Sequence, residues 1–423
     1  MTSNYRNRPS SRFASTFRAL RYRNYRFFIG GQFISLVGTW MQNVAQAWLV
    51  YRLTGSSLLL GAVGFVNQIP ILLLSPLTGA LADRRDRRWI VIVAQAAMML
   101  LALCLAVLTL GGGIRIWHIF VLAALLGTAS AFDVPARQSL FVELVERDDL
   151  INAIALNSSV FNGARVVGPA VAGILVATIG EGWCFFVNAV SYIAVIAGLL
   201  KIRSPEKSAP PPLASPLAHV LEGFRFVWRN TPIHALLALL GLASLVGTPY
   251  SVLMPIFADR ILHGGPGGLG LLMGAAGTGA VLGALVVAAR HGTRGLGSWV
   301  SVSCSAFGLS LILFSLSRVL WLSALLLLPV GFSLMMQLAS SNTLIQTMVP
   351  DDLRGRVMAL YTMMLLGMAP VGALLGGAAA EKLGAPLTVA AGGGICLIGA
   401  AVFWRRWRSL PPFKLSCRVD MLE

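Results

Sequence analysis

Read for apolar runs, the chain is a succession of long hydrophobic stretches separated by short polar breaks. A helix rises about 1.5 Å per residue, so about 20 apolar residues cross the roughly 30 Å hydrocarbon layer of a bilayer. By that measure the runs predict twelve membrane-spanning helices, near residues 27–50, 57–82, 89–110, 117–139, 151–179, 184–200, 233–257, 267–290, 297–317, 320–345, 355–380 and 386–404. The first run is too long for a cleaved signal peptide, no A-x-A-like site follows it, and further spans do.

The longest polar interruption, KIRSPEKSAPPPLASP at 201–216, is rich in Pro and Ser and reads as a linker between two sets of six spans. The predicted organisation is a basic N-terminal segment (1–26), a first six-helix half (27–200) and a linker with an amphipathic helix (201–232). A second half (233–404) and a tail (405–423) complete it. In the linker region Leu217, Val220, Leu221, Phe224 and Trp228 share one helical face, as in a helix lying on a membrane surface. The halves echo each other. VERDDL (145–150) opens the fifth span and VPDDL (349–353) the eleventh; GPAVAG (168–173) is echoed by APVGALLGG (369–377), and LLLGAVG (58–64) by LLMGAAG (271–277). The predicted fold class is therefore an all-α integral membrane protein, twelve helices in two pseudo-symmetric halves. That is the plan of a transporter that rocks about a midplane site.

Composition agrees: 57% hydrophobic residues, 12% charged and a mean hydropathy of +0.77 exclude an ordinary soluble domain. The net charge of +17 has a topological origin. Twenty-seven of the 33 Lys and Arg fall on one alternate set of loops and tails, five on the other, and Arg165 lies within a span. The basic side faces the cytoplasm, which puts both termini there and favours anionic lipid over nucleic acid as the partner of the charge. The five cysteines form no CxxC pair, the histidines are scattered, and none of the four lysines sits in a P-loop. No metal, no cofactor and no catalytic constellation is expected.

The stretch GALADRRDRR (79–88) packs six charges into ten residues between two spans. It resembles the signature loop between helices two and three of the major facilitator superfamily, carried here by Gly79, Leu81, Asp83, Arg84, Arg87 and Arg88. Asp86 departs from the family pattern, which usually has glycine there. GPAVAG, with Gly168, Pro169 and Gly173, resembles the antiporter motif of family members that export drugs and related compounds. FRALRYRNYRFF and EGFRFVWRNTPI look most like the branch holding bacterial siderophore (enterobactin-type) exporters and macrolide-efflux-like proteins. The resemblance implies that Gly79, Asp83, Arg84, Arg87 and Arg88 form a cytoplasmic latch. Asp83 would dock on the N-terminus of the eleventh helix (351–356), where free N–H groups and the helix dipole favour a carboxylate.

Among the acidic residues only Asp133 lies clearly inside a span, four residues before Arg137. Asp133 and Arg137 could form one network with Arg165, either a structural ion pair or a proton-coupling site. Arg165 could instead meet an anionic substrate, for which its fork of donors is suited. Polar residues at helical spacing mark a candidate substrate cavity: Gln42, Asn43, Gln46, Asn67, Asn157, Asn162, Gln337 and Asn342. Some of these amides are expected to bond between helices. The expected function is export of a small organic molecule, a siderophore or an amphipathic drug, by alternating access. A proton gradient would be the energy source, the cytoplasmic membrane the location and a monomer the working unit. An uptake carrier of the same fold is the alternative, and a non-transporting membrane enzyme or receptor a remote one.

Overall fold

A computed structural model describes residues 18–202, 216–290, 292 and 295–409. The rest of the expected N-terminal segment, linker and tail lies outside the described residues. No strand occurs among the described residues, as lipid demands: without water, each backbone N–H and C=O must find its partner within its own helix.

The first set comprises α1 (Arg23–Thr54), α2 (Ser57–Arg84), α3 (Arg87–Leu110), α4 (Ile116–Glu143), α5 (Leu150–Thr178) and α6 (Glu181–Lys201). A short helix, α7 (Pro216–Arg229), precedes the second set. That set comprises α8 (Thr231–Ile261, interrupted by π and 3-10 turns), α9 (Gly265–Ala288), α10 (Leu296–Leu316) and α11 (Leu320–Met348). It ends with α12 (Asp351–Leu383, broken by a π turn over Met363–Gly367) and α13 (Ala385–Ser409).

Eleven of these helices are long and apolar enough to cross a membrane, so the chain is a multi-pass membrane protein. The helix missing from that count is α1, which is 32 residues long but carries Gln32, Gln42, Asn43, Gln46 and Arg52. It shields several of them inside the protein, where Gln42 Oε1 accepts from Asn188 Nδ2 of α6 at 2.6 Å.

The turn between α1 and α2 is short for a local reason. Gly55, at φ +62°, ends α1 by donating its N–H to the Tyr51 carbonyl, and the Ser56 side chain starts α2 by accepting from the Leu59 N–H. This turn marks the far end of the molecule; the chain enters α1 and leaves α13 at the opposite, terminal end.

The two sets are packed alike. In the first, α1 lies against α5 and α6, α2 against α4, and α3 against α4 and α6. In the second, α8 lies against α12 and α13, α9 against α11, and α10 against α11 and α13. The sets meet where α2 crosses α12 and α5 crosses α9. Small residues permit these crossings: a Cβ on Gly61 would stand 2.2 Å from the Ala373 oxygen, and one on Gly173 would stand 2.9 Å from Gly270 Cα. The α2–α12 contact runs from Ser57 with Gly377 at the far end to Leu72 with Gly367 near mid-helix. The α5–α9 contact runs from Gly173 with Gly270 to Arg165 with Gly277.

Candidate functional site

Where the two sets face each other, a cavity of about 410 Å³ opens. The first set lines it with Trp40, Asn43, Gln46, Asn67 and Gln68, and the second with Ser251, Val252 and Met273. Indole and amide groups beside aliphatic walls suit an amphipathic organic ligand. Asn67 also donates weakly to the Ala123 carbonyl at 3.4 Å, which orients its amide toward α4. Half-buried Arg165 backs this wall, its guanidinium 5.7 Å from the centre of the Trp40 ring. Phe161 meets the same indole edge-on at 5.9 Å.

The other amides named from the sequence do not line this cavity. Gln42 is spent on Asn188 inside the first set. Asn162 donates to the Ser158 carbonyl one turn back, and Asn342 accepts from Gln346 on its own helix. Asn157 is half-buried on α5. Gln337 is fully buried with Ser340 and Ser341 in α11, and none of the three side chains has a hydrogen-bond partner. The physical reason is one of facing: lipid satisfies neither end of an amide, so a span turns it inward, and packing decides whether it meets another helix, its own helix or the cavity.

The intramembrane carboxylate is also placed. Asp133, 3% exposed, receives Gln95 Nε2 on Oδ1 at 2.8 Å and Arg137 Nε on Oδ2 at 2.9 Å. Both oxygens are therefore occupied, by α3 and by the next turn of α4. Arg165 is not part of this network; it lies against Trp40.

At the terminal end the charged loop ties three helices. Arg87 pairs with Glu143 at the end of α4 and donates to the Ala82 carbonyl at 3.2 Å. Arg88 meets no carboxylate among the described residues; it donates to the Leu199 and Leu200 carbonyls at the end of α6, at 2.8 and 3.0 Å. These are C-terminal carbonyls, where the helix dipole favours a cation. Arg84 is exposed, Gly79 is half-buried, and the Asp83 side chain lies outside the described residues. The departure at Asp86 has a use: its side chain caps α3 by accepting from the Arg88 N–H at 2.9 Å.

Sequence reasoning missed a second carboxylate at this end. Asp149, 1% exposed, holds Arg18 at 3.2 Å and Arg21 at 2.8 Å and accepts from the Tyr22 hydroxyl at 3.0 Å. Arg21 Nη2 also donates to the Tyr22 hydroxyl at 2.6 Å, and that hydrogen bond, ahead of the Asp149 carboxylate, raises the Arg21 pKa above its ordinary value. The signal was present in VERDDL, next to a segment dense in arginine. At the start of α12, Glu222 of α7 pairs with Arg356 at 2.9 Å, while Phe224 and Trp228 stack on the exposed face of α7. The side chains of Leu217, Val220 and Leu221 lie outside the described residues.

The antiporter-like motif bridges packing within the first set and the contact between sets. Gly168 faces Trp40 of α1, Pro169 is buried in α5, and Gly173 faces Gly270 of α9.

Among the described residues, side-chain hydrogen bonds between the sets gather at the far end. The Tyr51 hydroxyl donates to Asp259 Oδ2 at 2.6 Å, and Arg260 donates to the Gly55 carbonyl at 3.2 Å. Glu381 Oε2, at the end of α12, accepts from the Ser57 and Leu58 N–H groups at 2.9 and 3.2 Å and from the Ser56 and Ser57 hydroxyls at 3.1 and 2.8 Å.

Comparison with known proteins agrees with this architecture. The family model described as transmembrane secretion effector matches residues 14–416. A staphyloferrin A transporter of Staphylococcus aureus is 26% identical over 362 residues, 85% of this chain and 90% of that one. The multidrug efflux pump Tap of Mycolicibacterium fortuitum is 31% identical over 87% of this chain and 92% of its own. The enterobactin exporter EntS of Shigella boydii is 27% identical over 92% and 94%. Among solved structures, the nucleoside transporter NupG superposes with a TM-score of 0.71 at 13% identity, covering 92% of this chain and 100% of that one. A bacterial homologue of Spinster in an inward-facing, unoccupied conformation gives 0.68 at 15% identity, covering 94% and 98%.

Proposed function

Because this chain belongs to the transmembrane secretion effector family of major facilitator transporters, we propose that it exports a small organic molecule by alternating access. The observation that carries this reading is the amide- and indole-lined cavity between the two sets, backed by Arg165 and roofed at the far end by contacts between sets. The named relatives, two associated with siderophores and one with drugs, support the substrate class. An anionic siderophore fits best, since Arg165 offers a cation behind an aromatic wall.

The twelve-helix plan follows by counting α1, whose polar residues lower its hydropathy but whose 32-residue length suffices to span. The two halves are then residues 27–200 and 233–404, with 1–26, 201–232 and 405–423 as N-terminal segment, linker and tail. The arginine-rich terminal end faces the cytoplasm, so the far end faces outward. In that orientation we read the molecule as closed outside and open toward the cytoplasm, since the glycine contacts of α2 with α12 and of α5 with α9 lie between the far end and mid-helix. Closing the cytoplasmic side would bring Asp83 to the start of α12, where Pro350 supplies no side-chain cap. Proton entry supplies the energy, with no cofactor, in a lipid-embedded monomer. With both Asp133 oxygens occupied, we assign that residue to a structural pair rather than to coupling.

The test is uptake of an iron-chelating siderophore and of a fluorescent amphipathic drug into inverted membrane vesicles. Uptake that collapses on adding an uncoupler is the expected result. Gradient-dependent uptake into right-side-out vesicles instead would reverse the direction and favour the uptake carrier.

A further inference from the structure

We infer that Glu381 is a state-specific positioning residue of the transport cycle: its carboxylate latches the far end shut by capping the N-terminus of α2 from the other half. The inference rests on the alternating-access reading above.

Three observations converge. The first is geometry. One oxygen of Glu381 gathers four donors from Ser56, Ser57 and Leu58, all at the first turn of α2. A helix start presents N–H groups with no partner in the helix and a partial positive charge, which a carboxylate satisfies on both counts. The second is placement. Ala373, Gly377 and Glu381 repeat every fourth residue on one face of α12, and that face meets Ser57 and Gly61 of α2 backbone to backbone. Glu381 ends this stripe, so it engages only when the two backbones touch. The third is the choice of neighbours: Lys382 is the next residue, yet the carboxylate rather than the ammonium is turned onto the helix start.

The contact joins the two halves, so it must break when the far end opens. A tie made in one state and lost in the other sets the balance between them, because only such differential interactions move a two-state equilibrium. Glu381 was unremarkable in the sequence: a charge in a short loop beside a lysine.

The test uses the full-length protein in lipid nanodiscs, with nitroxides at Gly113 and Val319 on exposed far-end turns of the two halves. Pulsed EPR then reads the far-end separation. In the parent, short and long distances are both expected, with their ratio responding to a pH step. Glu381→Gln should raise the long-to-short ratio about tenfold, the loss expected for hydrogen bonds to a charged acceptor. Ser57→Ala, which removes one hydroxyl donor and keeps the carboxylate, should shift it the same way by less, and it serves if the first variant does not fold. Lys382→Gln should leave it unchanged. A parent that switches while Glu381→Gln and Ser57→Ala leave the ratio untouched would overturn the latch and spare alternating access. An equal shift from Lys382→Gln would reduce the effect to general surface charge and also overturn it. A single far-end distance in the parent under every condition would overturn both readings.

Discussion

Gln95 donates its side-chain amide to Asp133 Oδ1 at 2.8 Å, joining α3 to α4, two helices apolar enough to cross a membrane. With Arg137 on the other oxygen, both acceptors of this carboxylate are engaged. Removing its charge strands Arg137. Breaking a buried pair by one partner costs about 3–5 kcal/mol, whereas removing both charges costs far less. Asp133→Asn is thus expected to lower the melting temperature in detergent by several degrees, and Asp133→Asn with Arg137→Gln to recover most of it. A double variant as unstable as the sum of the singles would contradict the pairing.

Arg165 should discriminate between ligands by charge. Lysine keeps the cation but loses the planar fork and its stacking on Trp40. Arg165→Lys is expected to raise the KM for an anionic siderophore about tenfold, the loss of about 1.4 kcal/mol. Flux of a neutral amphipathic drug should change little. Equal loss for both ligands, measured in inverted vesicles, would make Arg165 structural.

Gly377 is a steric test of the sealed far end. A Cβ there would stand 2.5 Å from the Ser57 backbone oxygen, which cannot yield as a flexible side chain would. Gly377→Val should therefore abolish transport while membrane level and folding survive, because the sealed state is blocked. A cysteine placed at Ser57 should then react faster with a membrane-impermeant maleimide in the Gly377→Val background than in the parent. Equal protection in the two backgrounds would refute the steric block.

Asp86 is expected to contribute stability and no transport. Its side chain caps α3, and losing such a cap to alanine costs about 1 kcal/mol. Asp86→Ala should lower the melting temperature slightly, and Asp86→Gly, the residue usual in the resembled family, should lower it less. Export by both should match the parent; a large loss of flux would give Asp86 a part in the cycle.

Much of the fold was legible because lipid simplifies the code. A membrane asks each span for continuous apolar length, and the loops carry the charge, so the spans and the uneven spread of arginine among the loops could be read directly. The loop GALADRRDRR and the GPAVAG stretch were equally visible, since both depend on residue type at fixed spacing. Helical spacing also placed Gln42, Asn43 and Gln46 within about one turn of each other.

Which way each of those amides faces was decided only by packing. Gln42 and Asn43 are adjacent, yet one bonds to Asn188 and the other lines the cavity, because α6 covers one side of α1 and the gap between halves lies on the other. The same holds for Glu381. Every helix start offers unpaired N–H groups, and nothing local says which carboxylate will meet them. The crossing of α12 over α2, set by Gly61 on one helix and Gly377 on the other, brings this carboxylate to Ser57. The sequence by itself determined the apolar helices and which of the loops between them carry the charge. The tertiary structure decided which polar groups meet across them, because a helix repeat gives the face of a side chain but not the neighbour that face will find.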